Sequence, residues 1–359
     1  MDSGRGKIRM NMEGDRLSSL PDDLILKILS FIDTKHAIRT SVLSSRWRYI
    51  WTSTPRLDFS TRDFRTLAKF SKFVTGVLSG RKNQIDVSSV KFILIGRASQ
   101  SFIKRILNKV LNYALSHNVQ QLNITCRHGC ESLLSRFSSQ SLKHLTLIGL
   151  TFKNSITTPP TWDMLALTTL TLFCVTLYAD NAGESAGLFS NCANLKNLTL
   201  NSCRMEWGRF NICHPRLSNL TLENSHEGGD VVALQLKNLT IRNSRGIHQI
   251  SVPNLASLRY EGHFFPLKVS AELLHLEMVD ICLLHPSDSR ADAHDIVCLL
   301  QKLHNVKFLK LNPEVIRILC LHVELISHQS SPFANLKSLK IHPGYYVPLP
   351  HEEHVGYYV

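Results

Sequence analysis

The sequence predicts a mixed α/β protein: a small three-helix head followed by a curved repeat solenoid with a parallel sheet on its concave face. Three observations predict it. Residues 20–51 read LPDDLILKILSFIDTKHAIRTSVLSSRWRYIW, short amphipathic helical stretches that end on two tryptophans. From Val90 to Ile341 a pattern of the form L-x-x-L-x-L recurs, the strand signature of a stacked repeat. Two longer intervals between copies carry helix-period apolar patterns, so helices alternate with strands.

The chain has 359 residues, 43% of them hydrophobic and 19% charged. That is ordinary for a folded protein and long enough for a small domain plus a large one. A formal net charge of +13 attracts nucleic acid, acidic protein or anionic membrane at long range. The basic residues are scattered, whereas a nucleic-acid footprint concentrates in one stripe, so solvated surface is the better reading. No apolar run reaches the length of about 18 residues that spans a bilayer, and residues 1–16 lack the apolar core of a secretion signal. An intracellular protein is expected, in nucleus and/or cytoplasm, because Arg5, Lys7 and Arg9 are too sparse for a clear import signal. The nine cysteines then read as reduced thiols. Cys126, His128 and Cys130 lie close together but have no second ligand pair to close a zinc site, so neither metal nor cofactor is expected. The sequons at Asn123, Asn197, Asn219 and Asn238 fall inside predicted strands and read as by-products of the repeat.

Residues 1–14 form a polar tail and residues 15–61 the head. Pro21 suits a first helical position, and Asp22 and Asp23 suit the positive end of the helix dipole. Leu24, Ile28 and Phe31 make one stripe, widened by Leu26 and Leu29. Asp33 can cap a second helix carrying Ala37, Ile38 and Ser41. A third runs through Leu43, Trp47 and Trp51, spaced four apart on one face. A unit of about forty residues rarely holds itself together without a metal, disulfide or partner. Its excess of large apolar residues points to surface reserved for another protein.

Leu20-Pro21, the run Ile28-Leu29-Ser30-Phe31, and Val42-Leu43-Ser44 followed by Arg46-Trp47-Arg48 resemble an F-box. The continuation Tyr49-Ile50-Trp51-Thr52-Ser53, with Pro55 and Leu57-Asp58-Phe59, resembles the plant F-box/leucine-rich-repeat group. Ser45 stands where a basic residue is common. The resemblance implies docking onto the Skp-type adaptor of a cullin–RING (SCF) ubiquitin ligase, with Leu20, Pro21, Leu24, Ile28, Leu43 and Trp47 as contacts.

The body spans residues 62–342, with a linking helix over 64–79 that buries Leu67, Phe70, Phe73, Val74 and Val77. The leucine-rich pattern then reads Val90-Ile93-Ile95, Val119-Leu122-Ile124, Leu142-Leu145-Leu147, Leu167-Leu170-Leu172 and Leu195-Leu198-Leu200. It continues as Leu217-Leu220-Leu222, Leu236-Leu239-Ile241, Leu255-Leu258-Tyr260, Leu273-Leu276-Met278, Val306-Leu309-Leu311 and Leu336-Leu339-Ile341. Between Leu195 and Leu273 the repeats are near the lower limit of about 20 residues, which leaves room for turns or short extended pieces and none for outer helices. Helices are expected at 101–116 and 291–303, each running into His-Asn-Val and a strand.

Alternation along each strand puts the leucines inside and the intervening residues on the concave face. In the middle these are Asn and Thr, which read as a neutral hydrogen-bonded ladder. Further on the face gains Glu223, Arg242, Arg259, Tyr260, Glu261, Glu277, Phe308 and Lys310. Arg and aromatic residues anchor protein interfaces, so this is the candidate substrate surface. Residues 343–359 read as a loose tail, and no copy of the further C-terminal domain carried by many relatives is evident, which would make this a short variant.

None of the seventeen histidines falls in H-E-x-x-H, and neither a G-x-S-x-G elbow nor a P-loop is present. Asp288, Asp292, His294 and Asp295 read as an ordinary acidic helix start. A non-catalytic substrate receptor of an SCF ligase, with an unknown protein substrate, is therefore the expected function. The alternative is a nucleic-acid-binding or scaffold repeat protein using its basic surface.

Overall fold

The computed structural model describes residues 19–81, 86–126, 139–150, 156–157, 164–177, 189, 191–205, 210–225, 229–244, 248–263, 267–269, 272–284, 289–327 and 330–342. They belong to two compact units, residues 1–125 and 126–359. The expected tails at 1–14 and 343–359, and His128, Cys130 and Asp288, lie outside the described residues.

The first unit opens with α1 (Asp22–Leu29), α2 (Thr34–Arg39) and α3 (Trp47–Ile50), with 3-10 turns at Thr40–Val42 and Trp51–Ser53. Asp33 caps α2 as expected, its carboxylate accepting from His36 N at 2.8 Å. Burial by itself would raise the Asp33 pKa, but this bond and the contact with the His36 ring outweigh it and hold the carboxyl below its usual value. The single third helix expected from Leu43 to Trp51 is broken into short pieces. Ser44 and Ser45 interrupt it, and the Ser44 hydroxyl accepts from Trp47 N at 3.5 Å, a local partner that competes with helical bonding.

Beyond the head come β1 (Arg56–Ser60), α4 (Leu67–Gly80), β2 (Ser89–Ile93), α5 (Gln100–Ser116) and β3 (Gln121–Cys126). Thr66 and Ser99 cap the two helices. The three strands are parallel and in register, Leu57 beside Val90 beside Leu122 and Phe59 beside Phe92 beside Ile124. Leu57-Asp58-Phe59 is thus already the first strand of the sheet. The second repeat also differs from the sequence reading by three residues: Val87, Val90 and Phe92 are buried, whereas Ile93 and Ile95 are only half-buried.

The second unit runs β4 (His144–Gly149), β5 (Ile156–Thr157), β6 (Thr169–Phe173), β7 (Val175–Leu177), β8 (Asn197–Asn201) and β9 (Arg204–Met205). Then follow β10 (Phe210–Cys213), β11 (Asn219–Glu223), β12 (Gly229–Val232), β13 (Asn238–Arg242), β14 (His248–Ser251), β15 (Ser257–Gly262) and β16 (Leu267–Val269). The last strands are β17 (Met278–Leu283), β18 (Phe308–Leu311) and β19 (Ser338–Ile341). The order β4-β6-β8-β11-β13-β15-β17-β18-β19 forms the main parallel sheet, one strand per repeat. The short strands β10-β12-β14-β16 form a further parallel sheet, the extended pieces expected between Leu195 and Leu273, and β5-β7-β9 form another that begins ahead of that stretch. Helix Arg290–Leu300 lies where expected, and helix Pro313–Leu321 was not foreseen, although Pro313 at its first turn and Glu314 beside it are start signals.

A second three-residue slip concerns β17. Val279 and Ile281 sit in register with Leu258 and Tyr260 and with Leu309 and Leu311, so the repeat is Leu276-Val279-Ile281, not Leu273-Leu276-Met278. Met278 is consequently exposed. Tyr260, expected on the open face, fills an inner leucine position and is fully buried, because alternation in register with Leu222 and Ile241 turns it inward. Burial raises its pKa, with Asp292 adding to the effect. A Cβ on Gly262 would run into the Tyr260 hydroxyl. Gly262→Ala should therefore cost about 1–3 kcal/mol, read as a lowered denaturant midpoint.

Candidate functional site

Two surfaces stand out, one on the head and one on the main sheet. In the head, Ile25, Leu29, Ala37, Trp47 and Ile50 form the core, with Leu20, Leu26 and Trp51 packed against it. Helix α1 turns Ile25 and Leu29 inward and leaves the stripe Leu24-Ile28-Phe31 outward. Leu24 is 51% exposed and Phe31 75%. The turn before α3 adds Leu43 and Val42, the latter 88% exposed, and Ile32 and Tyr49 are exposed as well. Pro21 is exposed and Leu20 half-buried, and Arg46 pairs with Asp22 at the start of α1. Trp47, expected as a contact, is only 2% exposed and belongs to the core of the head. So many large apolar groups bare within one short head form a larger exposed apolar surface than a self-contained domain usually shows.

On the main sheet the open face falls into rows, because neighbouring strands are in register. One row is the neutral ladder: Asn197 donates to Thr169 at 3.1 Å, Asn219 to Asn197 at 2.6 Å, and Asn238 to Asn219 at 2.6 Å. Further along, the charges meet one another. Arg242 lies 2.6 Å from Glu223 and 3.7 Å from Glu261, and Arg259 lies 4.0 Å from Glu261 and 3.9 Å from Asp280. His342 reaches Asp280 at 3.1 Å. Glu223, Arg242, Arg259 and Glu261 are thus brought together as a self-neutralising chain. Glu277 is not on the open face but precedes β17 and pairs with Lys307 at 2.6 Å. At the β18 end Phe308 is exposed and Lys310 half-buried.

Asp280 and Met278 escaped the sequence reading because both depend on the register of β17. Lys340 and His342 join the face through partners on other strands, Lys340 opposite Lys310 and His342 against Asp280, which sequence spacing does not reveal.

Glu261 is buried, and burial raises its carboxyl pKa, opposed by Arg242 and Arg259. A carboxyl whose pKa is raised on folding binds its proton more tightly in the folded state, so its contribution to stability falls as pH rises from the ordinary glutamate value through the raised one. The stability of the wild type minus that of Glu261→Gln should therefore decline across that window, measured by denaturant melts at stepped pH.

Among the described residues no group of His, Cys, Asp and Glu could hold a metal. Burial pushes the Cys203 thiol up to about 12, which makes it an inert core thiol. Among the described residues seven cysteines are free, whereas Cys126, expected reduced, is disulfide-bonded. His214 is buried and structural, its Nε2 3.1 Å from Cys192 O.

Residues 17–59 match the family described as the F-box domain. Among curated proteins of Arabidopsis thaliana, the chain is 36% identical over 141 residues to an F-box/FBD/LRR-repeat protein, covering 38% of this chain and 31% of that one. It is 27% identical over 217 residues to an F-box/LRR-repeat protein, covering 59% of this chain and 58% of that one. With a putative F-box/LRR-repeat protein it shares 29% identity over 329 residues, covering 85% of this chain and 61% of the relative. The chain thus spans less than two thirds of the length of each of these relatives.

Proposed function

We propose that this chain, which carries an F-box at residues 17–59 ahead of leucine-rich repeats of the plant F-box/LRR kind, is the substrate-recognition subunit of an SCF-type ubiquitin ligase. The observation that carries the reading is the bare apolar stripe of the head, Leu24, Ile28 and Phe31 with Val42 and Leu43. Its own core is complete without them. Covering this stripe with a Skp-type adaptor would remove enough apolar area for tight binding, since each fully buried large aliphatic side chain contributes roughly 1.5–3 kcal/mol.

In this reading the repeats hold a protein substrate and the chain does no chemistry. Transfer of ubiquitin belongs to other subunits, and the receptor contributes by holding the acceptor lysines close to them. No described helix is long and apolar enough to cross a membrane. The place of action that fits is the nucleus or cytoplasm. The test is reconstitution: the full chain mixed with purified Skp adaptor, cullin and RING subunits should co-elute with them on gel filtration. A chain that elutes alone under these conditions overturns the proposal.

A further inference from the structure

We propose that the open face of β17, β18 and β19 is a docking site for an extended protein segment bearing a large apolar residue and, two residues along, a carboxylate. The inference rests on the repeats being the substrate-holding part of the chain.

The first observation is an abrupt change in one row of the sheet. From β6 to β15 that row reads Thr169, Asn197, Asn219, Asn238, Ser257, all polar and laterally hydrogen-bonded through the asparagines. On the next two strands it becomes Met278 and Phe308, side by side in register, 45% and 43% exposed. Two adjacent large apolar groups in a row that is polar from β6 to β15 form a small platform for an aromatic or aliphatic side chain.

The second observation is a failure of charge pairing in the neighbouring row. Upstream the arginines Arg242 and Arg259 on the face each have an anion beside them: Arg242 between Glu223 and Glu261, Arg259 near Glu261 and Asp280. At the end the row reads Asp280, Lys310, Lys340. Asp280 is engaged by Arg259 and His342. Lys310 and Lys340, directly opposite one another, have no carboxylate in salt-bridge range among the described residues. Like charges in register are destabilising, and a bound carboxylate between them turns that repulsion into attraction.

The spacing fixes the shape of the ligand. Strands in a sheet lie about 4.8 Å apart, and residues i and i+2 on one face lie about 6.7 Å apart. The platform and the lysine pair are therefore separated by one i to i+2 step, the same step that an extended ligand presents on its own face. A nucleic-acid strand fits less well, because Asp280, Glu261 and Glu223 lie along the path its phosphates would follow.

The experiment uses the full chain and short fluorescein-labelled peptides with a central Phe-Ser-Glu, Phe-Ser-Lys or Ala-Ser-Glu in Gly-Ser flanks, plus a labelled oligothymidine, read by fluorescence anisotropy. Phe-Ser-Glu should bind at least about tenfold more tightly than either other peptide, and the preference should weaken with salt. The charge reversal Lys310→Glu with Lys340→Glu should transfer the preference to Phe-Ser-Lys, and Met278→Ser with Phe308→Ser should abolish it. Equal binding of the three peptides overturns the inference, as does no binding up to about 1 mM or tighter binding of the oligothymidine. Adaptor binding by the same preparations separates the two readings: a chain that binds the adaptor but does not discriminate among the peptides fails this inference alone.

Discussion

Leu24→Asp combined with Ile28→Asp should lower affinity for the Skp adaptor by more than about a hundredfold while leaving the head folded. Both side chains are exposed, and the α1 residues that hold the head together are their neighbours Ile25 and Leu29. Two lost apolar contacts of roughly 1.5 kcal/mol or more each already approach that figure. Two carboxylates forced into an apolar contact add a desolvation cost. Titration calorimetry with purified adaptor gives the affinity, and circular dichroism gives the fold. Arg48→Ala, an exposed cation on the same head, serves as the comparison and should change affinity by less than about fivefold. A double-aspartate variant that binds within threefold or so of wild type would rule out this face as the docking surface. Trp47→Ala is not a useful probe, since loss of a core tryptophan would unfold the head and lose binding for an unrelated reason.

The same distinction between core and surface shows how much was legible in the sequence. Helix periodicity located α1 and named Leu24, Leu26, Ile28 and Leu29, but not Ile25, its most deeply buried residue. The inward stripe proves to be Ile25-Leu29 and the outward one Leu24-Ile28-Phe31, and in a segment so rich in apolar residues both satisfy the helical period. Strand periodicity located the repeats, and in the middle, where each copy has a clear Leu-x-x-Leu-x-Leu, the register was right. At Val87-Val90-Phe92 and Leu276-Val279-Ile281 a second set of apolar residues satisfied the same spacing three residues away. Only the neighbouring strands settle such a tie. That slip hid Asp280 and Met278 and placed Glu277 on the wrong face. Tyr260 shows the converse: its register was read correctly, and its aromatic character drew it into the candidate surface although its position in the repeat is an inner one. The ion pairs among Glu223, Arg242, Arg259 and Glu261 could not be read from the sequence at all, since they join residues from successive repeats.

Arg81→Ala should destabilise the first unit by about 3–5 kcal/mol, a large part of the 5–15 kcal/mol typical of a domain. Arg81 is buried just past the end of α4, and its guanidinium is surrounded by neutral acceptors. Its Nε donates to the Tyr113 hydroxyl at 3.0 Å, and its terminal nitrogens donate to Thr54 O at 2.6 Å, Thr54 Oγ1 at 3.2 Å and Trp51 O at 3.4 Å. One side chain thereby ties the end of the head to α5. Removing it strands several buried acceptors and leaves a cavity. Arg81→Lys should recover little, because a single ammonium cannot span acceptors that a planar fork reaches together. Tryptophan fluorescence through a denaturant melt reports the loss near Trp51, and an unchanged midpoint in Arg81→Ala would refute the clamp. The apolar stripe on α1 is remote from these bonds in sequence and takes no part in them, so at a temperature where the variant is still folded its adaptor binding should persist. In the proposed ligase what would suffer is transfer, which depends on the fixed direction in which the head leaves β1. A variant that binds adaptor normally yet supports less ubiquitination would separate docking from positioning, and place Arg81 in the second.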